Sequence, residues 1–81
     1  MPVILRYKGY RFLFFSNEGD PTEPLHIHVR KGERVAKFWI EPKICLAESY
    51  GFTSGELNEC VKVIEKNKEL IERCWNEHFG Y

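Results

Sequence analysis

The run Leu25-His26-Ile27-His28-Val29-Arg30 alternates apolar and polar side chains at every step. Successive side chains of a β-strand leave opposite faces of the sheet. Residues 25–31 therefore read as a strand, with Leu25, Ile27 and Val29 on one side and His26, His28 and Arg30 on the other. Gly32-Glu33 reads as a tight turn, and residues 34–41 as the returning strand. That turn pairs Val29 with Ala36, Ile27 with Phe38 and Leu25 with Ile40, all apolar. The opposite face pairs His26 with Trp39, His28 with Lys37 and Arg30 with Val35. A slip of one residue would drive polar groups into the core, so the alternation itself pins the register.

A similar hairpin precedes it. Residues 3–7 and 10–16 are rich in aromatic and branched side chains, and Lys8-Gly9 supplies the turn. The expected pairs are Tyr7 with Tyr10, Leu5 with Phe12 and Val3 with Phe14. These residues make a wholly apolar or aromatic face, and Ile4, Arg6, Arg11, Leu13 and Phe15 make the other. Residues 17–24 form a loop by composition, with one glycine, two prolines and three acids. Residues 42–52 read as a crossover, a short helical turn or an irregular segment ended by Gly51.

Thr53-Ser54-Gly55-Glu56 has the form of a capping box, with Thr53 as N-cap and Glu56 at N3. A helix of about 25 residues should follow and end near Phe79-Gly80, with glycine just past its end. Its apolar stripe runs through Leu57, Cys60, Val61, Ile64, Ile71, Cys74, Trp75 and His78 or Phe79, interrupted at Asn67 and Lys68. Such a helix is about 37 Å long, against about 17–26 Å for strands of this length. The overhang leaves room for a dimer or a partner to cover it. Eighty-one residues support one core and no more. The expected fold is a single α+β domain over residues 1–81. Two hairpins (3–41) form a four-stranded antiparallel sheet, followed by a crossover (42–52) and one long C-terminal helix (53–80) packed on one face.

Lysine plus arginine equals aspartate plus glutamate at 12 each, which excludes a uniformly basic chain. The charges are unevenly placed: residues 1–43 hold eight basic and five acidic groups, and residues 54–79 hold four and six. Three cysteines with no C-x-x-C pair point to reduced thiols and a cytoplasmic setting. No signal peptide, and no apolar run near the length of a membrane span, stands out. Glycine-rich phosphate loops, G-x-S-x-G and HExxH are missing too.

The chemistry-bearing face is the one holding His26 and His28. As metal ligands they would need carboxylates from Glu18, Asp20 or Glu23, but Lys37 beside His28 opposes a cation, so no metal and no cofactor is expected. As an RNA site, Arg30 and Lys37 would hold phosphate and Trp39 would stack on a base, with Arg6, Arg11 and Phe15 joining if the first hairpin lies alongside. On that reading His26 and His28 are also acid and base candidates for cleaving RNA. The plainer reading is a surface that packs on a second protein, because Trp39, Phe15 and Leu13 would otherwise leave an apolar patch uncovered.

Several segments carry a family resemblance: Tyr7-Lys8-Gly9-Tyr10-Arg11-Phe12, Phe15-Ser16-Asn17-Glu18, Pro24-Leu25-His26-Ile27-His28-Val29, Ala36-Lys37-Phe38-Trp39, Gly51-Phe52-Thr53-Ser54-Gly55-Glu56-Leu57, and Trp75 with His78, Phe79 and Gly80. In order and spacing they resemble a small, mostly bacterial and archaeal family catalogued as domain of unknown function 4160. Here Pro24 stands one position earlier than in many members, with Leu25 intervening. The resemblance implies a partner, a second small protein in a toxin–antitoxin-type pair, and brings no catalytic residues with it. The expected function is a protein-interaction module of such a pair, using Trp39, His26, His28 and Arg30. The alternative is a small ribonuclease or RNA-binding toxin on the same face.

Overall fold

The protein is described from a computed structural model, which covers residues 3–14 and 24–79. The expected loop at 17–24 (Pro24 apart), the strand end at Phe15 and Ser16, and the helix-ending Gly80 lie outside the described residues, as do the side chains of His78 and Phe79. Among the described residues, five strands precede two helices: β1 (Val3–Tyr7), β2 (Tyr10–Leu13), β3 (His26–Lys31), β4 (Arg34–Trp39), β5 (Cys45–Tyr50), α1 (Ser54–Lys66) and α2 (Lys68–Phe79). The strands form one antiparallel sheet in the order β1-β2-β3-β4-β5.

Turn chemistry accounts for the hairpins. Lys8 and Gly9 both have positive φ, at 46° and 86°. A type I′ turn requires this at its two central positions, and its twist matches the flanking strands. In the β3–β4 turn Gly32 has φ 63°. The β3–β4 register is the one the alternation dictates: His26↔Trp39, Ile27↔Phe38, His28↔Lys37, Val29↔Ala36 and Arg30↔Val35. In the first hairpin Tyr7↔Tyr10 and Leu5↔Phe12 hold, but Val3 faces Leu13 rather than Phe14. An irregularity between Val3 and Leu5 shifts the pairing by one residue.

Two expectations are corrected. The sheet has a fifth strand where a crossover was expected: β5 pairs with β4 through Val35↔Tyr50, Lys37↔Glu48 and Trp39↔Cys45. It lies at the sheet edge, and none of its residues is buried, so no core-facing alternation marks it. Backbone pairing holds it, with a register shift opposite Lys37 and Phe38. Also, the single long helix is two. A straight helix over residues 54–79 would measure about 39 Å, longer than the largest molecular extent of 33 Å. The break falls at Asn67, whose Nδ2 donates to the Val63 carbonyl at 2.8 Å and whose backbone N–H reaches both Val63 and Ile64 oxygens. The bend keeps both apolar stripes on the sheet.

The helices cover one sheet face. Cys60, Val63 and Ile64 of α1 and Ile71 and Trp75 of α2 pack with Tyr10, Phe12, Phe14, Ile27, Val29, Ala36, Phe38 and Ile40 in one core. The capping box forms as expected: Thr53 Oγ1 accepts from the Glu56 N–H, and Glu56 Oε1 accepts from the Thr53 N–H at 2.9 Å. The other oxygen of Glu56 meets the Arg34 guanidinium at 2.8 Å, joining the start of β4 to the start of α1. On β1, Tyr7 donates its hydroxyl hydrogen to Glu59 at 3.3 Å. The opposite sheet face carries Arg6, Arg11, His26, His28, Arg30, Lys37 and Trp39 among the described residues.

Candidate anion-binding sheet face

Register places those residues in rows across the strands. Arg6↔Arg11↔Arg30↔Val35↔Tyr50 crosses all five. The next row is Leu13↔His28↔Lys37↔Glu48, and beyond it lies His26↔Trp39↔Cys45. Directly opposed residues share a face, as do residues two apart on one strand. Arg6, Arg11, Arg30, His28, Lys37, Trp39 and His26 therefore all spring from one face, as expected.

The arginine row is the unusual feature. Three guanidinium-bearing residues are direct cross-strand neighbours, an arrangement that destabilises a sheet by like-charge repulsion. Among the described residues, ion pairs form at Lys8–Glu59 and Arg34–Glu56 and include none of the three. Arg6 and Arg11 are exposed, and Arg30 is half-buried. The Arg30 Nε is shielded from solvent and has no hydrogen-bond partner among the described residues. Leaving a buried donor unpaired costs about 1–3 kcal/mol. Lys37 adds a fourth cation, with its Nζ 4.5 Å from the centre of the Trp39 ring.

His26 departs from expectation. Alternation alone puts both imidazoles on the sheet face opposite Leu25, Ile27 and Val29, away from the apolar core. The His26 ring is only 1% exposed. It lies 5.5 Å from the Trp39 ring and 5.2 Å from Trp75 of α2, with the His28 ring at 5.3 Å. Its Nδ1 sits 3.0 Å from the Pro24 carbonyl oxygen. A carbonyl can only accept, so Nδ1 carries the proton and donates it. Trp75 also meets Phe14 edge-to-face at 5.1 Å, so this end of α2 closes over the end of the sheet. Which end of a sheet a helix crosses is decided by tertiary packing, and strand alternation carries no trace of it. Leu13, on the same outer face, is likewise buried at 3% exposure. The expected uncovered patch of Trp39, Phe15 and Leu13 is reduced accordingly: Leu13 is inside, Trp39 is half-buried, and Phe15 lies outside the described residues.

The open part of the face contains a depression of about 330 Å³ lined by His28, Arg30, Val35, Ala36, Lys37, Glu48 and Tyr50. Its origin is simple. Val35 is short and sits between the long side chains of Arg30 and Tyr50 in one row, and beside Lys37 and Glu48 in the next. Glu48 and Tyr50 were missed by sequence reasoning because they belong to the edge strand read as a crossover. The spacing of polar Glu48 and aromatic Tyr50, two apart after the Pro42-Lys43 turn, was the available signal.

No group of three or more His, Cys, Asp or Glu side chains among the described residues is placed to hold a metal ion. Glu18, Asp20 and Glu23, the carboxylates a metal site on this face would need, lie outside those residues. No helix among them is long and apolar enough to cross a membrane. Among known proteins, a family described as Domain of unknown function (DUF4160) matches the chain over residues 9–76. No curated protein and no solved structure matches it.

Proposed function

Because the chain belongs to the DUF4160 family, whose description carries no activity, we propose a reading from its own geometry: it is a binding module whose outer sheet face docks the phosphodiester backbone of single-stranded RNA. The observation that carries this is the row Arg6–Arg11–Arg30, three adjacent cations without a carboxylate among them. Strands stand about 4.8 Å apart, so the row spans about 9–10 Å. That length suits a track of successive phosphates better than one isolated anion. Trp39 and Tyr50 flank the cations with aromatic surface for bases.

Binding is favoured over cleavage. General acid–base work needs both imidazoles within reach of the reacting ribose. His26 is shut from solvent between two tryptophans, with Nδ1 committed to Pro24, so it supports the fold. His28, half-buried at the rim of the depression, contacts the ligand.

Fluorescence anisotropy with a labelled single-stranded RNA octamer tests the reading. Three phosphate contacts predict a slope of log K against log salt near about −2, and Arg11→Ala should reduce it by about 0.7 while weakening all sequences alike. No binding at low salt, or an Arg11→Ala/Arg30→Ala protein that binds like wild type, would overturn it. A polyglutamate peptide that binds as tightly as RNA would transfer the face to an acidic partner protein. A second reading, one half of a toxin–antitoxin-type pair, has separate support at the β5 edge. There Leu46 is 44% and Tyr50 61% exposed on a strand that pairs on one side only among the described residues. Co-expression with the neighbouring gene product and co-purification test that reading.

A further inference from the structure

We infer that the depression between β3, β4 and β5 is a nucleotide subsite that prefers guanine, and that Glu48 makes the choice. This rests on the RNA-binding reading and adds a base preference to it. The lining divides into two ends. Arg30, Lys37 and His28 supply cationic or hydrogen-donating groups on β3 and β4. Glu48 and Tyr50, two residues apart on β5, supply a carboxylate and an exposed ring. Arg30 and Tyr50 are separated by one intervening strand, hence by about 9–10 Å, which a nucleoside monophosphate laid across the short Val35 side chain bridges. Its phosphate meets the Arg30 guanidinium, which lines that end of the depression. Its base lies against Tyr50.

The carboxylate then discriminates. It only accepts hydrogen bonds. An unpaired guanine offers two adjacent donors, N1–H and the 2-amino group, on its Watson–Crick edge. Adenine and cytosine offer a single amino group beside a ring-nitrogen acceptor. Uracil offers one N–H between two carbonyls that repel a carboxylate. Only guanine satisfies both oxygens without placing an acceptor against them. Glu48 Oε2 now accepts the Tyr50 hydroxyl at 3.4 Å, a long contact on an exposed pair. That contact holds the carboxylate beside the ring, and the hydroxyl can turn to water when a base arrives. Lys37 is the direct cross-strand partner of Glu48, and its positive charge tempers the repulsion between the carboxylate and a phosphate at the far end.

The test compares a labelled A8 RNA with the same strand carrying one central guanine, by anisotropy at constant salt. Wild type should bind the guanine strand about five- to tenfold more tightly. Glu48→Gln should bring the two strands within twofold of each other and bind A8 at least as tightly as wild type, because a negative charge leaves the face. Tyr50→Ala should weaken both strands together. Equal affinity of wild type for the two strands, or a preference that survives Glu48→Gln, overturns the inference while leaving the RNA reading intact. Absence of binding to either strand overturns both.

Discussion

His26 and Cys60 show how local surroundings reassign a residue's chemistry. An imidazole alternating outward on a strand looks available, yet the ring of His26 is enclosed by Trp39 and Trp75 and bonded to Pro24. His26→Ala should cost about 2–4 kcal/mol in urea unfolding, through a lost ring and an unpaired carbonyl. His26→Asn, whose amide can still donate near the Nδ1 position, should recover part of that loss. A catalytic role predicts the reverse pattern, normal stability with lost activity. Burial pushes the Cys60 thiol up to about 11, so it is protonated and unreactive at neutral pH. Cys45 is exposed. Alkylation of the folded protein should therefore mark Cys45 first and spare Cys60 until denaturant is added, which mass spectrometry resolves.

At the scale of elements, legibility follows burial. The β3–β4 register could be read from sequence because one face is fully apolar, and any slip exposes it. The first hairpin was legible up to Leu5, beyond which a backbone irregularity changes the count without a side-chain signal. β5 was not legible, since an exposed edge strand has no buried face to alternate against. The helix break was half visible: Asn67 and Lys68 interrupt the apolar stripe, but only the compact size of the sheet explains why the chain bends there. The start of α1 was legible in full from Thr53 and Glu56. Glu56 carries a testable pH dependence. The Thr53 backbone N–H, with Arg34 adding to it, holds the Glu56 carboxyl below the usual carboxylate range. The unfolded chain therefore binds that proton more readily than the folded one. The contribution is complete above the ordinary carboxylate pKa and is lost as pH falls through the depressed value. The urea midpoint should drop on acidification, and Glu56→Gln should drop less over the same interval. Thr53→Ala should cost about 1 kcal/mol at neutral pH.

Across the whole molecule, charge separates by layer. The chain is neutral overall, with 12 basic and 12 acidic residues. The helices carry six acidic residues, Glu56, Glu59, Glu65, Glu69, Glu72 and Glu77, against four basic ones, Lys62, Lys66, Lys68 and Arg73, on one side of the sheet. The other side carries Arg6, Arg11, Arg30 and Lys37 against the single carboxylate of Glu48 among the residues of those rows. Neutral composition thus conceals a polar molecule, in which a layered fold turns uneven placement along the chain into opposite faces. An anionic strand should find one side of it only. Backbone amide chemical shifts, followed by NMR while a single-stranded RNA octamer is titrated in, test this most directly. The account predicts shifts concentrated at Arg6, Arg11, His28, Arg30, Lys37 and Tyr50 and quiet amides along the outer faces of α1 and α2. Shifts centred on the helices, or none at saturating RNA, would contradict it.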